Sequence, residues 1–376
     1  MKTAPLKGLK VVELARILAG PWAGQVLGDL GAEVIKVESP EGDDTRGWGP
    51  PFVDRADGSK DAAYFHAANR GKDNIIADFT DPEDLARVKA LIADADVVIE
   101  NFKLGGLKRF GLDYASLSAV HPRLVYCSIT GFGQDGPYAA RAGYDFIIQG
   151  MSGIMDLTGE PDGPPQKIGV AYADIMTGLY AVIGIQAALH QRESTGRGQL
   201  VDMALFDVMV GTLANQAMNY LAGGRNPKRL GNAHPNIAPY EAFRAKDGWL
   251  IVAVGNDRQF ERFCDVIDLP KREEWSTNAR RVKNRESLSA SISRRIAEWE
   301  RDALLDRLEA DRVPAGPINS VKQALSDPQI EARRMVVELE GGLQGLRTPI
   351  RFSDADLALG KASPTLQDAG EDKEQA

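Results

Sequence analysis

Short apolar runs alternate with amphipathic stretches through the first half of the chain. Five of these runs have the length and composition of strands: Leu9–Leu14, Glu33–Val37, Ile75–Asp78, Val97–Ile99 and Leu124–Ile129. Between the third and fourth runs, Leu85, Val88, Leu91 and Ile92 recur at helical spacing. Thr80 or Asp81 is expected to cap this helix, and Pro82 suits its first position. This alternation predicts an α/β domain with a doubly wound, mostly parallel sheet of Rossmann-like type.

The pattern changes in the second half. Tyr172–Arg192 predicts a long buried helix, Gln199–Val201 a strand, and Asp202 to about Leu221 a second helix. Tyr240–Phe243 and Trp249–Val254 flank a Lys-Asp-Gly turn, which predicts a hairpin.

Two glycine- and proline-rich segments predict domain limits. Gly223-Gly-Arg-Asn-Pro227 and Val313-Pro-Ala-Gly-Pro317 are interpreted as linkers. We therefore expect a large domain over residues 1–222, a smaller α+β domain over 223–316, and a return of 317–376 to the large domain. From about Gln367 the acidic tail is expected to be flexible.

Composition narrows the functional class. The 376 residues carry a formal net charge of -8, which argues against general nucleic-acid binding. No two of the four histidines lie three to five residues apart and there is no C-x-x-C, so a metal site is not expected. Without a signal-like segment or an apolar run of membrane-spanning length, we expect a cytoplasmic protein with no membrane association. Cys127 lies in an apolar run and is expected to be a buried free thiol rather than a nucleophile.

Ligands of parallel sheets bind beyond the carboxyl ends of the strands. Here that rule indicates Ile17, Glu38–Arg46, Asn101–Arg109 and Thr130–Asp145. Positive side chains concentrate in or near these loops, as phosphate binding requires: Arg46, Arg70, Lys72, Lys103, Lys108, Arg109 and Arg141. For any one of them, a solvated surface position is the simpler interpretation.

Two glycine-containing motifs resemble known functional motifs, one for dinucleotide binding and one for a serine nucleophile. Gly131-Phe-Gly-Gln-Asp-Gly136 has the spacing of a dinucleotide-binding loop, but it follows a late strand instead of the first one. We favour a ligand-facing loop over a nicotinamide or flavin site. Gly150-Met-Ser-Gly153 lacks the last glycine of a serine nucleophile elbow, since Ile154 occupies that position.

Asp174 lies where the long apolar helix begins. One interpretation is an N-cap. The other is a carboxylate nucleophile, which could attack a thioester and form a mixed anhydride at a helix N-terminus. The residue pattern does not choose between them.

Several motifs together resemble family III CoA-transferases, the CaiB/BaiF family, over nearly the whole chain. The segments that carry the resemblance are Leu6–Leu14, Ala19-Gly-Pro21, Leu27–Glu38, Gly42–Arg46, Asn69-Arg-Gly-Lys72, Glu100-Asn-Phe102, the Asp174 segment and Thr195–Gln199.

The resemblance implies that Asp174 is the aspartyl nucleophile and that coenzyme A or acyl-CoA is a substrate, with no metal, nicotinamide or flavin. It implies an interlocked homodimer whose active site lies between the large domain of one subunit and the small domain of the other. Together with the strand-end cations, it assigns these residues to CoA: Ile17, Leu18, Ser39, Arg46, Lys72, Ala77, Thr80, Asn101, Phe102, Lys103, Arg109, Arg141, Ala142, Tyr144 and Asp145. Ser39 and Ala142 replace basic residues found in some relatives.

The small domain gives an expectation about substrate. The run from Gly231 to Tyr240, followed by Phe243 and a Lys-Asp-Gly turn, is similar to members that act on dicarboxylic acids, such as succinyl-CoA:glutarate transferases. His234 could meet a distal carboxylate, or could have a structural polar role. Gly255 stands where formyl-CoA transferases have a run of glycines.

The alternative activity is 2-methylacyl-CoA racemization. It needs an acid and a base, whereas Gly143-Tyr-Asp145 has Tyr144 where racemase relatives have histidine.

Overall fold

The computed structural model describes residues 2–55 and 58–366. In chain order, the strands are β1 (Lys10–Glu13), β2 (Glu33–Glu38), β3 (Phe52–Asp54), β4 (Lys60–Ala62), β5 (Asp73–Ile76), β6 (Val97–Glu100), β7 (Val125–Thr130), β8 (Leu200–Ala204), β9 (Tyr240–Arg244), β10 (Trp249–Ala253), β11 (Ala315–Pro317), β12 (Val336–Glu338) and β13 (Gln344–Leu346). The helices are α1 (Ala19–Asp29), α2 (Ala63–Asn69), α3 (Pro82–Ala93), α4 (Tyr114–Val120), α5 (Asp145–Met151), α6 (Ile154–Leu157), α7 (Tyr172–Thr195), α8 (Leu205–Gly211), α9 (Ala214–Gly223), α10 (Asp257–Val266), α11 (Asn278–Lys283), α12 (Arg285–Ile296), α13 (Arg301–Ala310), α14 (Val321–Leu325) and α15 (Pro328–Ala332).

The main sheet is parallel throughout, in the order β5-β2-β1-β6-β7-β8. Counted along the chain, this is the doubly wound order 3-2-1-4-5-6. The predicted α/β fold class is therefore confirmed. The strand order reverses between β1 and β6, so the switch point lies at the carboxyl ends of those two strands.

Alternating strand residues explain why both faces of the sheet are covered. Val11 and Val97 belong to a core shared with α1 and α7, whereas Val12 and Val98 belong to a second core shared with α3 and α4. Because successive strand side chains point to opposite faces, these apolar runs can fill both layers.

Helices α1 and α7 approach closely at Gly178. A Cβ atom there would lie 2.7 Å from the Ala19 carbonyl oxygen, so only glycine allows this packing. By length and composition α7 could cross a membrane, although no run of membrane-spanning length was expected from the sequence. One face of α7, including Ala181 and Ile185, is buried in the core with α1, as in the core helix of a globular domain.

A buried ionic cluster lies at the carboxyl ends of β1 and β2. Lys36 Nζ is 2.9 Å from Asp43 and 3.2 Å from Glu13, and Lys72 Nζ is 2.8 Å from Glu13. All four side chains are almost fully buried. Removing one member would leave an uncompensated charge, which typically costs about 3–5 kcal/mol.

The smaller of two compact units comprises residues 155–166 and 218–328, and the larger comprises those up to 154, 167–217 and from 329 onward. In the small unit, β11-β10-β9 form an antiparallel sheet, and β9 and β10 are the predicted hairpin. Its core includes Trp275, Phe243 and Phe263. The domain limits expected at residues 222 and 316 stay predictions.

Three local expectations are corrected. The third strand ends at Ile76 instead of Asp78. The single helix predicted from Asp202 does not begin there, because β8 continues to Ala204, which pairs with Thr130. Two helices follow, α8 and α9, and they are separated at Thr212-Leu213. The segment interpreted as a second linker contains β11, which pairs with β10. The predicted flexible tail from Gln367 lies outside the described residues.

The end of the described chain, residues 361–366, packs along the β5 edge of the large unit. Gly71 N–H donates to the carbonyl oxygens of Lys361 and Ala362, and Asn74 donates to that of Thr365 at 2.8 Å. His66 Nδ1 contacts the Ser363 hydroxyl at 2.5 Å. The segment thereby covers a sheet edge that would otherwise be open.

Candidate active site

Asn101 joins the two loops that diverge at the switch point. Its side-chain oxygen accepts the Arg16 N–H at 3.0 Å, and its amide group donates to the Arg16 carbonyl at 2.7 Å. Arg16 follows β1 and Asn101 follows β6. These two bonds therefore fix both sides of the opening in which a doubly wound sheet binds its ligand.

A cavity of about 550 Å³ opens at this point and includes most of the predicted site residues. Those lining it are Ile17, Leu18, Asn101, Phe102, Lys103, Arg109, Arg141, Ala142, Tyr144, Asp145 and Asp174. A second cavity of about 370 Å³ is lined by Ser39, Ala77, Thr80, Phe102 and Arg109. Since Phe102 and Arg109 border both, the two cavities are adjacent, and together they suit an elongated ligand.

Ile17 has a backbone conformation that β-branched residues avoid. Its φ is 72°, in the left-handed region. Its N–H points at the buried Asp43 carboxylate, with nitrogen–oxygen distances of 3.2 and 3.3 Å. Asp43 is in turn paired with Lys36. The buried ionic cluster thus extends to the cavity wall, where it holds a strained residue in place.

Asp174 is not the cap of its helix. The N-cap of α7 is Ala171, which provides no side-chain bond, and Asp174 is the third helical residue. The capping bond comes from Asp145, whose carboxylate accepts the Ala173 N–H at 2.8 Å. The N-cap interpretation is therefore wrong, and the Asp174 carboxylate is available to the cavity.

The electrostatic surroundings of Asp174 make it unusually basic. Burial, and after it the negative charge of Asp145, raises the pKa of Asp174 to about 7. Within residues 2–55 and 58–366, no basic side chain forms an ion pair with it. A poorly solvated carboxylate beside another acid is a stronger nucleophile than one in water.

Three cations border the cavity without acidic partners. Lys103, Arg109 and Arg141 form no salt bridge with any described residue. Arg109 lies over the Phe110 ring with its guanidinium carbon 4.4 Å from the centroid, and Arg141 lies 4.5 Å from the Tyr138 centroid. Stacking orients these guanidinium groups while their N–H donors stay available for phosphate oxygens.

The structure does not bring Arg46 and Lys72 to either cavity. Arg46 is 7% exposed and pairs with Glu38 and Asp61, and Lys72 is 0% exposed and pairs with Glu13. Because their charges are already neutralised, direct contact with CoA is not expected from them. The sequence pattern placed them near strand ends but could not show which cations have buried acidic partners.

His234 and Gly255 belong to the small unit. His234 Nδ1 accepts the Asn236 N–H at 3.1 Å, so the neutral ring carries its proton on Nε2. The segment that follows His234 is anchored by Arg281, which donates to the Ala238 carbonyl. His234 can therefore offer an N–H donor from a fixed loop.

The glycine-rich loop has a packing explanation. A Cβ on Gly131 would lie 2.5 Å from the Gly143 Cα, so these two backbones meet where both border the large cavity. Gly131 thus borders the cavity, and a ligand-facing role for the rest of the loop stays a prediction.

Two residues near the site were not predicted. Burial, followed by the charges of Asp174, Asp145 and Asp43, raises the pKa of Tyr64, which places this hydroxyl in the same electrostatic environment. Glu100 is a buried acid beside the Asn101 loop. Tyr64 follows no strand of the main sheet, and Glu100 was only part of a motif. In the described part of the chain, no group of three or more His, Cys, Asp or Glu side chains could hold a metal ion.

Comparison with known proteins matches one family along nearly the whole chain. The family model described as CoA-transferase family III matches residues 6–373. The chain is 56% identical over 371 residues to succinate–glutarate CoA-transferase of Agrobacterium fabrum, covering 96% of this chain and 93% of that protein. It is 42% identical over 370 residues to succinyl-CoA:glutarate CoA-transferase of Homo sapiens, covering 96% and 83%. The crystal structure of a CaiB/BaiF family protein from Brucella suis aligns with a TM-score of 0.91 and 62% identity, covering 100% of this chain and 99% of that one.

Proposed function

The chain belongs to CoA-transferase family III and is a CoA-transferase, and we propose that it moves coenzyme A from an acyl-CoA donor to a dicarboxylic acid through covalent intermediates on Asp174. The observation that carries the proposal is the position of Asp174. It is a basic carboxylate without a cationic partner among the described residues, in a cavity bordered by three unpaired cations at the switch point.

The first half of the proposed reaction removes the donor acid. An Asp174 oxygen attacks the thioester carbon, the carbon–sulfur bond breaks, and CoA leaves as a thiolate, giving a mixed anhydride. The thiolate then attacks the Asp174 carbonyl carbon. This step forms an aspartyl-CoA thioester and releases the donor as a carboxylate.

The second half reverses these steps with a new acid. The acceptor carboxylate attacks the aspartyl thioester and expels the CoA thiolate, which then attacks the acceptor acyl carbon. Asp174 is regenerated, and no net proton is consumed. Leu18 and Ala19, at the N-terminus of α1, border the same cavity. Since α1 has no side-chain cap, its first N–H groups are candidates to stabilise the oxyanions.

In this proposal, CoA occupies the two adjacent cavities. Lys103, Arg109 and Arg141 bind phosphates, and Ser39, Ala77 and Thr80 border the outer end.

The acceptor is proposed to be a dicarboxylate because both curated relatives described above are named for succinate and glutarate. His234 would donate Nε2–H to the distal carboxylate, and Gly255 would border the acid.

We also propose that the protein is an interlocked homodimer. Apolar side chains of the large unit are exposed, including Phe146 and Ile147 on α5 and Tyr180 and Ile183 on α7. A patch of this kind marks a protein interface more often than a solvated surface. The racemase alternative loses its support because the chain is a CoA-transferase, and because Tyr144 stands where racemase relatives carry histidine.

An exchange assay tests the proposed function. The purified protein is incubated with succinyl-CoA and glutarate, or with a panel of mono- and dicarboxylic acids, and new CoA esters are identified by mass spectrometry. We expect glutaryl-CoA or another dicarboxylate ester, and none from Asp174→Ala. Exchange with monocarboxylates alone would contradict the dicarboxylate assignment, and exchange by Asp174→Ala would contradict the mechanism.

A further inference from the structure

Glu100 differs from the other buried carboxylates of the large unit. Glu13, Asp29, Glu38, Asp43 and Asp61 are all buried, and each forms an ion pair with a lysine or arginine. Glu100, at the end of β6, is only 6% exposed, and no described lysine or arginine pairs with it. A buried acid without a cation is costly, so its position calls for a role.

Glu100 lies between two loops of the active site. Its carboxylate accepts the Phe102 N–H at 2.8 Å. Ser128 is its direct partner on β7 and counteracts the effect of burial on the pKa of Glu100. The Ser128 hydroxyl accepts a bond from the Gln134 side chain at 2.8 Å. Glu100 and Ser128 are therefore neighbours, and each is bonded to one loop: Glu100 to the loop after β6, Ser128 to the glycine-rich loop after β7.

The loop after β6 has space on both sides. The large cavity and a separate cavity of about 270 Å³ both border Phe102, Lys103, Leu104 and Gly105. Glu100, Ser128 and Gln134 line the smaller cavity, behind the loop. The smaller cavity leaves room for the loop to shift away from the ligand, and the bond from the Phe102 N–H to Glu100 opposes that shift.

We propose that Glu100 is a positioning residue for CoA: by accepting the Phe102 N–H, it holds Phe102 and Lys103 against the ligand. This inference rests on the proposed CoA site. Glu100 itself does not contact the reacting atoms.

The charge of Glu100 adds a pH dependence to this role. Burial raises the pKa of Glu100 to about 7. The charged and titratable groups around it are Lys103, Lys108, Asp113 and Tyr114 at the smaller cavity, Tyr126 and Cys127 on β7, and Asp202 on β8. When Glu100 ionises, it becomes a stronger acceptor for the Phe102 N–H. The loop is then held more firmly, and CoA affinity should rise as pH increases through about 7.

The test measures the Kd of CoA by calorimetry between pH 5.5 and 8.5 for wild type, Glu100→Ala, Glu100→Gln and the exposed-acid control Glu33→Gln. We expect Glu100→Ala to weaken binding about tenfold at pH 8, since it leaves the Phe102 N–H without its charged acceptor. Glu100→Gln should bind within about threefold of wild type, because its amide oxygen can still accept the Phe102 N–H. Its pH dependence should be shallower than that of wild type, and Glu33→Gln should follow wild type. Titration of the CoA phosphates cancels in these comparisons.

Equal CoA affinity for wild type and Glu100→Ala at all pH values would overturn the proposal. If Glu100→Ala does not fold, the Glu100→Gln curve decides, and a pH dependence identical to wild type would refute it. Because binding is measured without turnover, a wild-type protein that binds CoA but exchanges no acids would contradict the proposed reaction and leave the role of Glu100 intact.

Discussion

The Asp145 carboxylate caps the helix of the proposed nucleophile by accepting the N–H of Ala173, the residue immediately before Asp174. Asp145 lies 28 positions before Ala173 in the chain, and through this bond it takes the role that a local N-cap side chain would have. The arrangement leaves Asp174 free and places a second negative charge beside it, which helps to raise its pKa.

Replacing Asp174 by alanine or asparagine should reduce exchange at least about 10³-fold, because no other residue forms the anhydride. CoA affinity should stay within about threefold, since the phosphate-binding cations are unchanged. With succinyl-CoA and hydroxylamine, wild type should form a hydroxamate on the Asp174 peptide, detectable by mass spectrometry. Asp207→Asn, an exposed acid on α8, is the control. A hydroxamate on a different residue would disprove the assignment.

The kcat/KM for acyl-CoA should rise with pH and level off above about 7, because Asp174 must be ionised to attack. Asp145→Asn removes the neighbouring negative charge while its side-chain oxygen can still accept the Ala173 N–H. We therefore expect its midpoint to lie about 0.5–1 pH unit lower. Rate profiles from pH 5 to 9 measure both. An unchanged or higher midpoint in Asp145→Asn would count against this electrostatic coupling.

Asp174→Asn should also change stability in a pH-dependent way. The pKa of Asp174 is about 7 in the folded protein and near 3.8 when unfolded, so the folded state holds the proton more tightly. The contribution of protonated Asp174 to the free energy of unfolding is fully present at low pH and is lost as pH rises toward 7. The free energy of unfolding of Asp174→Asn, relative to that of wild type, should therefore increase by on the order of 2 kcal/mol from pH 5 to pH 8. Denaturant titrations at both pH values measure the free energy of unfolding. The difference in this free energy between Asp207→Asn and wild type should be the same at pH 5 and pH 8.

His234→Ala should lower the ratio of kcat/KM for glutarate to that for butyrate about tenfold, because only glutarate has a distal carboxylate to accept the Nε2–H. Competition between the two acids for succinyl-CoA gives the ratio directly. The exposed His190 on α7 provides a control substitution. If His234→Ala affects both acids equally, His234 has a structural role instead.

Light scattering should give a mass of twice the chain's 40.8 kDa if the proposed dimer forms. Ile183, 62% exposed on α7, lies in the apolar patch, so Ile183→Asp should lower the dimer fraction or the yield of folded protein. Val120→Asp, at a similarly exposed position on α4, should do neither. A fully active wild-type monomer would exclude the dimer.

Most of the large unit was predictable because its signals are local. Apolar runs gave the strands of the parallel sheet, and the carboxyl-end rule indicated loops that do border the cavities. Strand β11 was missed because Ala315 and Gly316 lie between two prolines. Proline is tolerated in an edge strand, and so short a strand has no recognisable alternation of apolar and polar residues.

Properties that depend on distant partners were not predictable. Arg46 and Lys72 resembled phosphate ligands until their buried acids were located. Asp145 could not be identified as the cap of a helix that begins far along the chain. The role proposed for Glu100 depends on the register that places Ser128 beside it, and on the fact that no described lysine or arginine forms a salt bridge with it.

The covering of β5 by residues 361–366 has a consequence for protein synthesis. The small unit is encoded between parts of the large one, so its residues 218–328 leave the ribosome before the segment that closes the β5 edge. The six strands of the large sheet have emerged by then, but the β5 edge is still uncovered while the small unit folds. Until residues 361–366 emerge, the nascent chain presents this edge strand to its surroundings, which favours chaperone binding during that interval.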